Sequence, residues 1–320
     1  MADETRDGVA LTHLDAPLTG DGPETKRHLI DYLEAMADRI VPVLAGRALS
    51  VIRVRAGQAP FMQKNLPASA PEWINTVTMW SAGSRRDIRY PTVDDARTLL
   101  WLGNQRAVEY HPALFLASAW NEPTHLVVDV DPPEERDPFD AAVATAHLVR
   151  QVLDDAGMAS VVKTSGSKGV HVMVPLDGVP PVEDVAAATR AVAVRAAALD
   201  PSLATTEFVV ADRGGRVFVD ATRVGGGTVA AAYSPRLRPG VPVSMPVAWE
   251  AIDDVRPQDF TIRTVPDLLG TADPWRHLMP APQTLDAGLV EQGRTIPVAR
   301  VAAMHAGKRR AKAIRDAANG

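Results

Sequence analysis

The chain has no cysteine among its 320 residues. That excludes disulfides, a thiolate nucleophile and any cysteine-ligated zinc or iron–sulfur centre. It also lacks an uninterrupted apolar run of about 18 residues, and Met1-Ala2-Asp3-Glu4-Thr5-Arg6 lacks the apolar core of a signal peptide. A cytoplasmic protein with no membrane partner is expected. An excess of positive charge is missing too. The formal net charge of −5 argues against a general polyanion binder, although cations concentrate locally at Arg85, Arg86 and Arg89, and again at Lys308, Arg309, Arg310, Lys312 and Arg315. What is present is the composition of an ordinary globular protein, 46% hydrophobic and 23% charged, with length for one large or two modest domains.

The most informative stretch is His125-Leu126-Val127-Val128-Asp129-Val130-Asp131-Pro132. The apolar run up to Asp129 has the character of a buried strand, ended by Pro132 and Pro133. Side chains alternate along a strand, so Asp129 and Asp131 share a face. Two carboxylates in one small volume repel each other unless a cation lies between them or one takes up a proton. Hard oxygen ligands suit Mg2+ or Mn2+. Aspartates at a strand end also serve as plain turn formers and caps.

Ahead of this strand the pattern predicts a helix over 25–40, with Leu29, Leu33, Met36 and Ile40 on one face, and a strand over 49–55. A loop over 56–72 and a hairpin over 73–90 follow, then a short helix capped by Asp94 or Asp95 and a strand over 107–112. Behind it come a helix over 139–156, strands at 160–163 and 170–175, an Ala-rich helix over 182–199, and strands at 207–211, 216–221 and 228–233. Strands and helices do not alternate strictly, which points to mixed sheets and an α+β fold. From about residue 236 prolines are frequent and the pattern weakens. The last fifteen residues suggest a basic helix or tail.

Two further stretches carry chemistry. Lys163-Thr164-Ser165-Gly166-Ser167-Lys168-Gly169-Val170-His171 combines two glycines, hydroxyls and a lysine, the parts of a phosphate cradle. The spacing is not that of a Walker A loop, and a plain hairpin turn with a packed strand histidine has the same composition. Val217-Phe218-Val219-Asp220 is another apolar strand ending in a carboxylate. Beside the strand of Asp129, about 4.8 Å away, it would complete a site able to hold two metals.

The order of these stretches resembles the archaeo-eukaryotic primase superfamily, and most closely the polymerase domain of bacterial DNA ligase D. The likeness extends over Thr25-Lys26, Leu49-Ser50-Val51-Ile52-Arg53, Phe61-Met62-Gln63-Lys64, Val108-Glu109-Tyr110-His111-Pro112, Ala232-Tyr233-Ser234-Pro235-Arg236 and Pro246-Val247-Ala248-Trp249-Glu250, roughly residues 10–275. It implies mixed β-sheets with an RRM-like catalytic core flanked by helices. It implies a catalytic domain over 1–275, with DNA contacts mainly in 10–115 and the metal and nucleotide core mainly in 120–240, followed by an extension with a basic tail over 276–320.

By the same resemblance Asp129, Asp131 and Asp220 are the catalytic metal carboxylates for two divalent ions, Mn2+ or Mg2+. Ser165, Gly166, Ser167, Lys168, Gly169, His171 and Arg236 form the triphosphate cradle, with His111 near the sugar and Arg213, or its competitor Arg216, upstream of the third aspartate. Arg53, Phe61, Met62 and Lys64 belong to the DNA-contacting part, and Lys26 to a pocket for a downstream 5′-phosphate. Two departures fall in that part: Ala16 stands where the family commonly has lysine, and Met62 where it commonly has phenylalanine. Losing a cation and a stacking ring weakens two expected DNA contacts. The implied protein is a stand-alone, nucleoid-associated repair polymerase. It would take nucleoside triphosphates, preferably ribonucleotides, and gapped, nicked or broken DNA, beside a separate ligase and an end-bridging protein. End joining, excision-repair gap filling and primer synthesis are all compatible with it. A metal-dependent phosphohydrolase or nuclease and a non-catalytic DNA-end-binding module are the alternatives.

Overall fold

The computed structural model describes residues 3–18, 22–55, 57–81, 85–134, 138–178, 180–224 and 227–298. The basic tail therefore lies outside the described residues, as does the tip of the expected hairpin at 82–84. In chain order the elements are β1 (Glu4–Arg6), β2 (Val9–Leu11), α1 (Lys26–Ala35), α2 (Ala37–Leu44), β3 (Leu49–Arg55), β4 (Gln58–Gln63), β5 (Thr76–Ser81), β6 (Arg86–Pro91), α3 (Ala96–Asn104) and β7 (Ala107–Pro112). Then follow β8 (His125–Asp131), α4 (Pro138–Asp155), β9 (Val161–Thr164), β10 (Val170–Pro175), α5 (Val182–Leu199), β11 (Ala204–Thr205), β12 (Val217–Asp220), β13 (Pro246–Val247), α6 (Val265–Leu269), α7 (Pro274–Leu278) and α8 (Ala287–Thr295).

The chain forms two compact units whose sequences interleave. The first is Met1–Glu122 with Val161–Lys168 and Thr228–Met279; the second is Pro123–Ser160 with Gly169–Gly227 and Pro280–Gly320. In the first unit β4, β3 and β7 make an antiparallel sheet, β5 pairs with β6, and β13 pairs with β9. Leu29, Ile30 and Leu33 of α1 are buried with Leu99 and Leu100 of α3. Gly103 lets the two helices close, since a Cβ there would stand 2.5 Å from Leu33 Cδ1. Asp95 caps α3 by accepting from the Thr98 amide at 2.6 Å.

In the second unit the strands lie in the order β11-β12-β8-β10, with β8 antiparallel to both of its neighbours. Val127, Val128 and Val130 of β8 are fully buried, and the long helices α4 and α5 pack on the sheet. Residues beyond 275 contribute α8, which lies along α5. The approach is close enough that a Cβ on Gly293 would meet the Ala187 carbonyl, so the small residues of α5 are part of the packing.

Four sequence expectations differ from the structure. The single helix over 25–40 is two helices that meet at Met36 (φ −104°, ψ 4°), and the second runs on to Leu44 despite Pro42 within it. The loop over 56–72 contains β4, an edge strand whose Pro60 and neighbouring Gly57 disguise it, because proline is tolerated where no ladder donor is needed. Residues 207–211 give only part of a 3-10 turn at Val210–Asp212, since the β-branched pair there meets no partner strand. Residues 228–233 form no ladder either: Ala231 donates to Tyr110 O and Tyr233 to Ser244 O, two different partners.

Candidate active site

β8 is flanked by β12 and β10, and the registers set Asp129 opposite Asp220 on one side and opposite His171 on the other. Asp131 lies opposite Phe218. Alternation then puts Asp129, Asp131, Phe218 and Asp220 on one face of the sheet, while Val130 and Val219 turn away. The three carboxylates expected to act together do share a face, and Asp220 is only 4% exposed. The Thr222 amide donates to Asp220 Oδ1 at 2.7 Å. His171 Nε2 is 3.5 Å from Asp129 Oδ1.

The residue that sequence reasoning missed is Arg223. Its Nη2 is 2.9 Å from Asp129 Oδ2, and its Nε is 3.1 Å from Asp220 Oδ2, so one guanidinium bridges both carboxylates. Burial alone would lower its pKa, but Asp129, Asp220 and Asp131 outweigh that and raise it. The signal available beforehand was the Asp220-Ala221-Thr222-Arg223 spacing. Arg213 meets Asp131 Oδ2 at 3.3 Å with its guanidinium 4.0 Å from the centroid of the Phe218 ring, while Arg216 turns back to the Arg213 and Asp212 carbonyls. A cavity of about 830 Å3 opens at this face, lined by Asp131, Asp220, Arg213, Arg223, Phe218 and Arg190 among others.

Among the described residues no three carboxylate or imidazole groups are gathered as a ready ion cage. The donor set nevertheless fits a divalent ion. Three carboxylates share this face of the sheet, and hard oxygens are what Mg2+ and Mn2+ take. Arg223 therefore acts as the resident counter-cation of the Asp129–Asp220 pair. Arg223→Met is expected to lower the melting temperature in EDTA by several degrees and to show a larger stabilising shift on adding Mn2+ than the wild type does. A variant that melts like the wild type with and without metal would remove this role.

Of the expected cradle, Ser165 to Lys168 follow β9 in the first unit, and Gly169 and His171 belong to the second. Gly166 has φ +68°, and a Cβ on it would lie 2.8 Å from the Ser244 amide nitrogen and 2.6 Å from Arg236 Cγ. Arg236 Nη1 donates to the Ser165 carbonyl, and Arg238 Nε to Ser167 Oγ at 3.1 Å. Beneath the turn, buried Lys163 donates to Ala230 O at 2.8 Å and to Ser244 Oγ at 2.6 Å. In the second unit, Gly169 lies so close to the Val130 carbonyl that a Cβ would stand 2.4 Å from it.

The side chains of Glu109 and His111 point the same way from β7. Glu109 Oε2 is 2.9 Å from His111 Nε2 and 3.1 Å from Arg236 Nε, and its Oε1 accepts from the Leu237 amide at 2.9 Å. Sequence reasoning took His111 and Arg236 and missed Glu109, although alternation along the strand links 109 to 111.

Of the expected DNA contacts, Met62 is 46% exposed and Lys64 is exposed at the end of the edge strand. Arg55 sits 4.9 Å from the centroid of the Phe61 ring. Arg53 is tied to Gln105 O at 2.7 Å and Gln63 Oε1 at 2.6 Å. Lys26 is 2% exposed, its Nζ donates to Thr12 O, and burial pulls its pKa down to about 8.

A family model, the primase-polymerase domain of LigD, matches residues 25–275. The chain belongs to that family. It is a primase-polymerase domain, and its mixed α+β fold is the LigD polymerase fold. Among curated relatives it is 33% identical over 264 residues to the "Bifunctional non-homologous end joining protein LigD" of Bacillus subtilis, covering 81% of this chain and 42% of that protein. It is 33% identical over 267 residues to the "Multifunctional non-homologous end joining DNA repair protein LigD" of Mycobacterium tuberculosis, covering 79% of this chain and 34% of the relative. The chain thus spans less than half the length of either. Among solved structures, a chain described as "Polymerase Domain from Mycobacterium tuberculosis Ligase D in complex with DNA" superposes with a TM-score of 0.77 at 30% identity, over 84% of this chain and 97% of that one. Among the described residues no helix is long and apolar enough to cross a membrane.

Proposed function

We propose that this LigD-type domain is a DNA-dependent nucleotidyltransferase of DNA repair, extending a primer 3′-hydroxyl at short gaps or breaks, with ribonucleotides preferred and Mn2+ or Mg2+ as cofactor. The observation that carries the reading is the common face of Asp129, Asp131 and Asp220, set by alternation along β8 and its antiparallel register with β12. The relatives named for non-homologous end joining favour that pathway among those open to a gap-filling enzyme. Residues 1–275 are the catalytic part of this proposal and 276–320 an extension.

Asp129, Asp131 and Asp220 would hold the divalent ions, which when bound make a hydroxyl more nucleophilic and offset triphosphate charge. The remaining roles belong to the chain's own groups. Ser165, Lys168 and Arg236 bind and orient the triphosphate, with Gly166 and Ser167 shaping the turn and Gly169 and His171 continuing it. Cations fixed there stabilise charge that develops on departing pyrophosphate. Arg213, anchored on Phe218 and paired with Asp131, holds that carboxylate in place. Phe61, Met62 and Lys64 meet the template with Arg53 beside the Phe61 ring, and Lys26 serves the downstream 5′-phosphate. A ligase activity is required by the chemistry, because filling a gap leaves a nick, and an end-bridging protein would present broken ends.

Primer extension on a gapped, 5′-phosphorylated duplex and on an open primer-template, with UTP against TTP in Mn2+ and in Mg2+, tests the proposal. Extension by one or a few nucleotides is expected, faster with UTP and faster in Mn2+. Shortening of the DNA without added nucleotide would instead mark a nuclease, and tight end binding with no incorporation would mark a docking module.

A further inference from the structure

We propose that Glu109 is a positioning residue that fixes the tautomer of His111 and the aim of Arg236, so that His111 selects nucleotides carrying a 2′-hydroxyl. The inference rests on the polymerase reading above, which puts His111 near the sugar and Arg236 at the triphosphate, and it adds how one buried carboxylate sets the selectivity of both.

Glu109 is 6% exposed. Both its oxygens are engaged: Oε1 by the Leu237 amide at 2.9 Å, and Oε2 by His111 Nε2 at 2.9 Å with Arg236 Nε 3.1 Å away. Burial would raise its pKa, but the hydrogen bond with His111, the charge of Arg236 and the Leu237 amide outweigh that and hold it at about 2. At neutral pH Glu109 is therefore a carboxylate, which only accepts hydrogen bonds.

The proton between Glu109 and His111 must then sit on His111 Nε2. Burial lowers the pKa of His111 below its ordinary value, and Arg236 and Lys163 push in the same direction against the pull of Glu109. That direction favours the neutral imidazole, which carries one N–H. With that N–H on Nε2, Nδ1 is an acceptor. An acceptor rewards an O–H donor and gains nothing from a C–H, which is the difference between a ribose and a deoxyribose at C2′. Arg236 donates at Nη1 to the Ser165 carbonyl, and its buried Nε lies 3.1 Å from Glu109 Oε2, an ion pair without hydrogen-bond alignment. One residue thus couples the sugar contact to the phosphate contact.

Glu109→Gln keeps the shape and removes the charge. Its amide can donate to Nε2 and release the opposite tautomer. For the wild type, 15N NMR of labelled histidine is expected to show His111 protonated on Nε2 and bare on Nδ1, and Glu109→Gln is expected to lose that pattern. With UTP against dUTP, the ratio of kcat/KM should fall roughly three- to tenfold in the variant, the value of one hydrogen bond. The KM for UTP should rise more than kcat falls, because a binding contact is lost. A wild-type His111 protonated on Nδ1, or an unchanged UTP to dUTP ratio in a folded variant, overturns the proposal. If the wild type extends no primer, the polymerase reading fails by itself, and the histidine spectrum with equilibrium binding of UTP against dUTP still decides the role of Glu109. A variant that does not fold leaves the decision to the wild-type spectrum.

Discussion

Asp131→Ala is expected to lower nucleotide addition by about three orders of magnitude while leaving DNA affinity and melting temperature close to those of the wild type. The side chain of Asp131 is 37% exposed, so truncating it opens no cavity in the core. Its loss frees one side of Arg213, but that guanidinium still stacks on Phe218 at 4.0 Å and donates to the Glu207 and Phe208 carbonyls. The fold therefore has no reason to yield. What disappears is one of three carboxylates proposed to hold the divalent ions. Single-turnover primer extension, fluorescence anisotropy with labelled DNA and a thermal melt together check the result. Retained extension would show that the metal assignment is wrong.

Gly166→Ala carries the second-largest effect, and it strikes binding. At φ +68° an alanine is strained, and its Cβ would stand 2.6 Å from Arg236 Cγ, 2.8 Å from the Ser244 nitrogen and 2.9 Å from the Val243 carbonyl carbon. Two of those neighbours are backbone and cannot swing aside. The turn must move, carrying the Ser165 carbonyl away from Arg236. A loss of about 2–3 kcal/mol in stability is expected, with at least a tenfold rise in the KM for nucleotide. Gly157→Ala is the control: it has the same φ of +68° and open space around its Cβ, so it costs the conformational strain alone and should leave the KM unchanged. Equal effects from the two variants would mean that the close packing of the Gly166 turn is irrelevant to nucleotide binding.

Much of this site was readable because its signals are local. The alternation of β8 put Asp129 and Asp131 on one side, and the glycines and hydroxyls from Ser165 to Gly169 marked a turn. The misses share a physical cause. Pro60 hid an edge strand because the ladder role of a residue depends on which neighbour it meets, and Lys26 gave no hint that it would be buried. Arg223 looked like one more charge after a strand until its two carboxylate partners were in place, and Glu109 needed Arg236 and Leu237 beside it before its role could be seen.

The sequence by itself determined the periodic features: the strand ending in two same-sided aspartates, the cationic turn, the short helix begun at Asp94 or Asp95 and the membership of the chain in its family. Only the tertiary structure decided that Asp220 lies opposite Asp129, that Arg223 joins them across 94 positions of chain, and that Glu109 takes hold of a residue 128 positions further on. The reason is physical. Backbone geometry repeats every two or 3.6 residues and can be counted along the chain, whereas the pairing of distant strands is settled by which arrangement buries the most apolar surface while leaving every buried charge a partner.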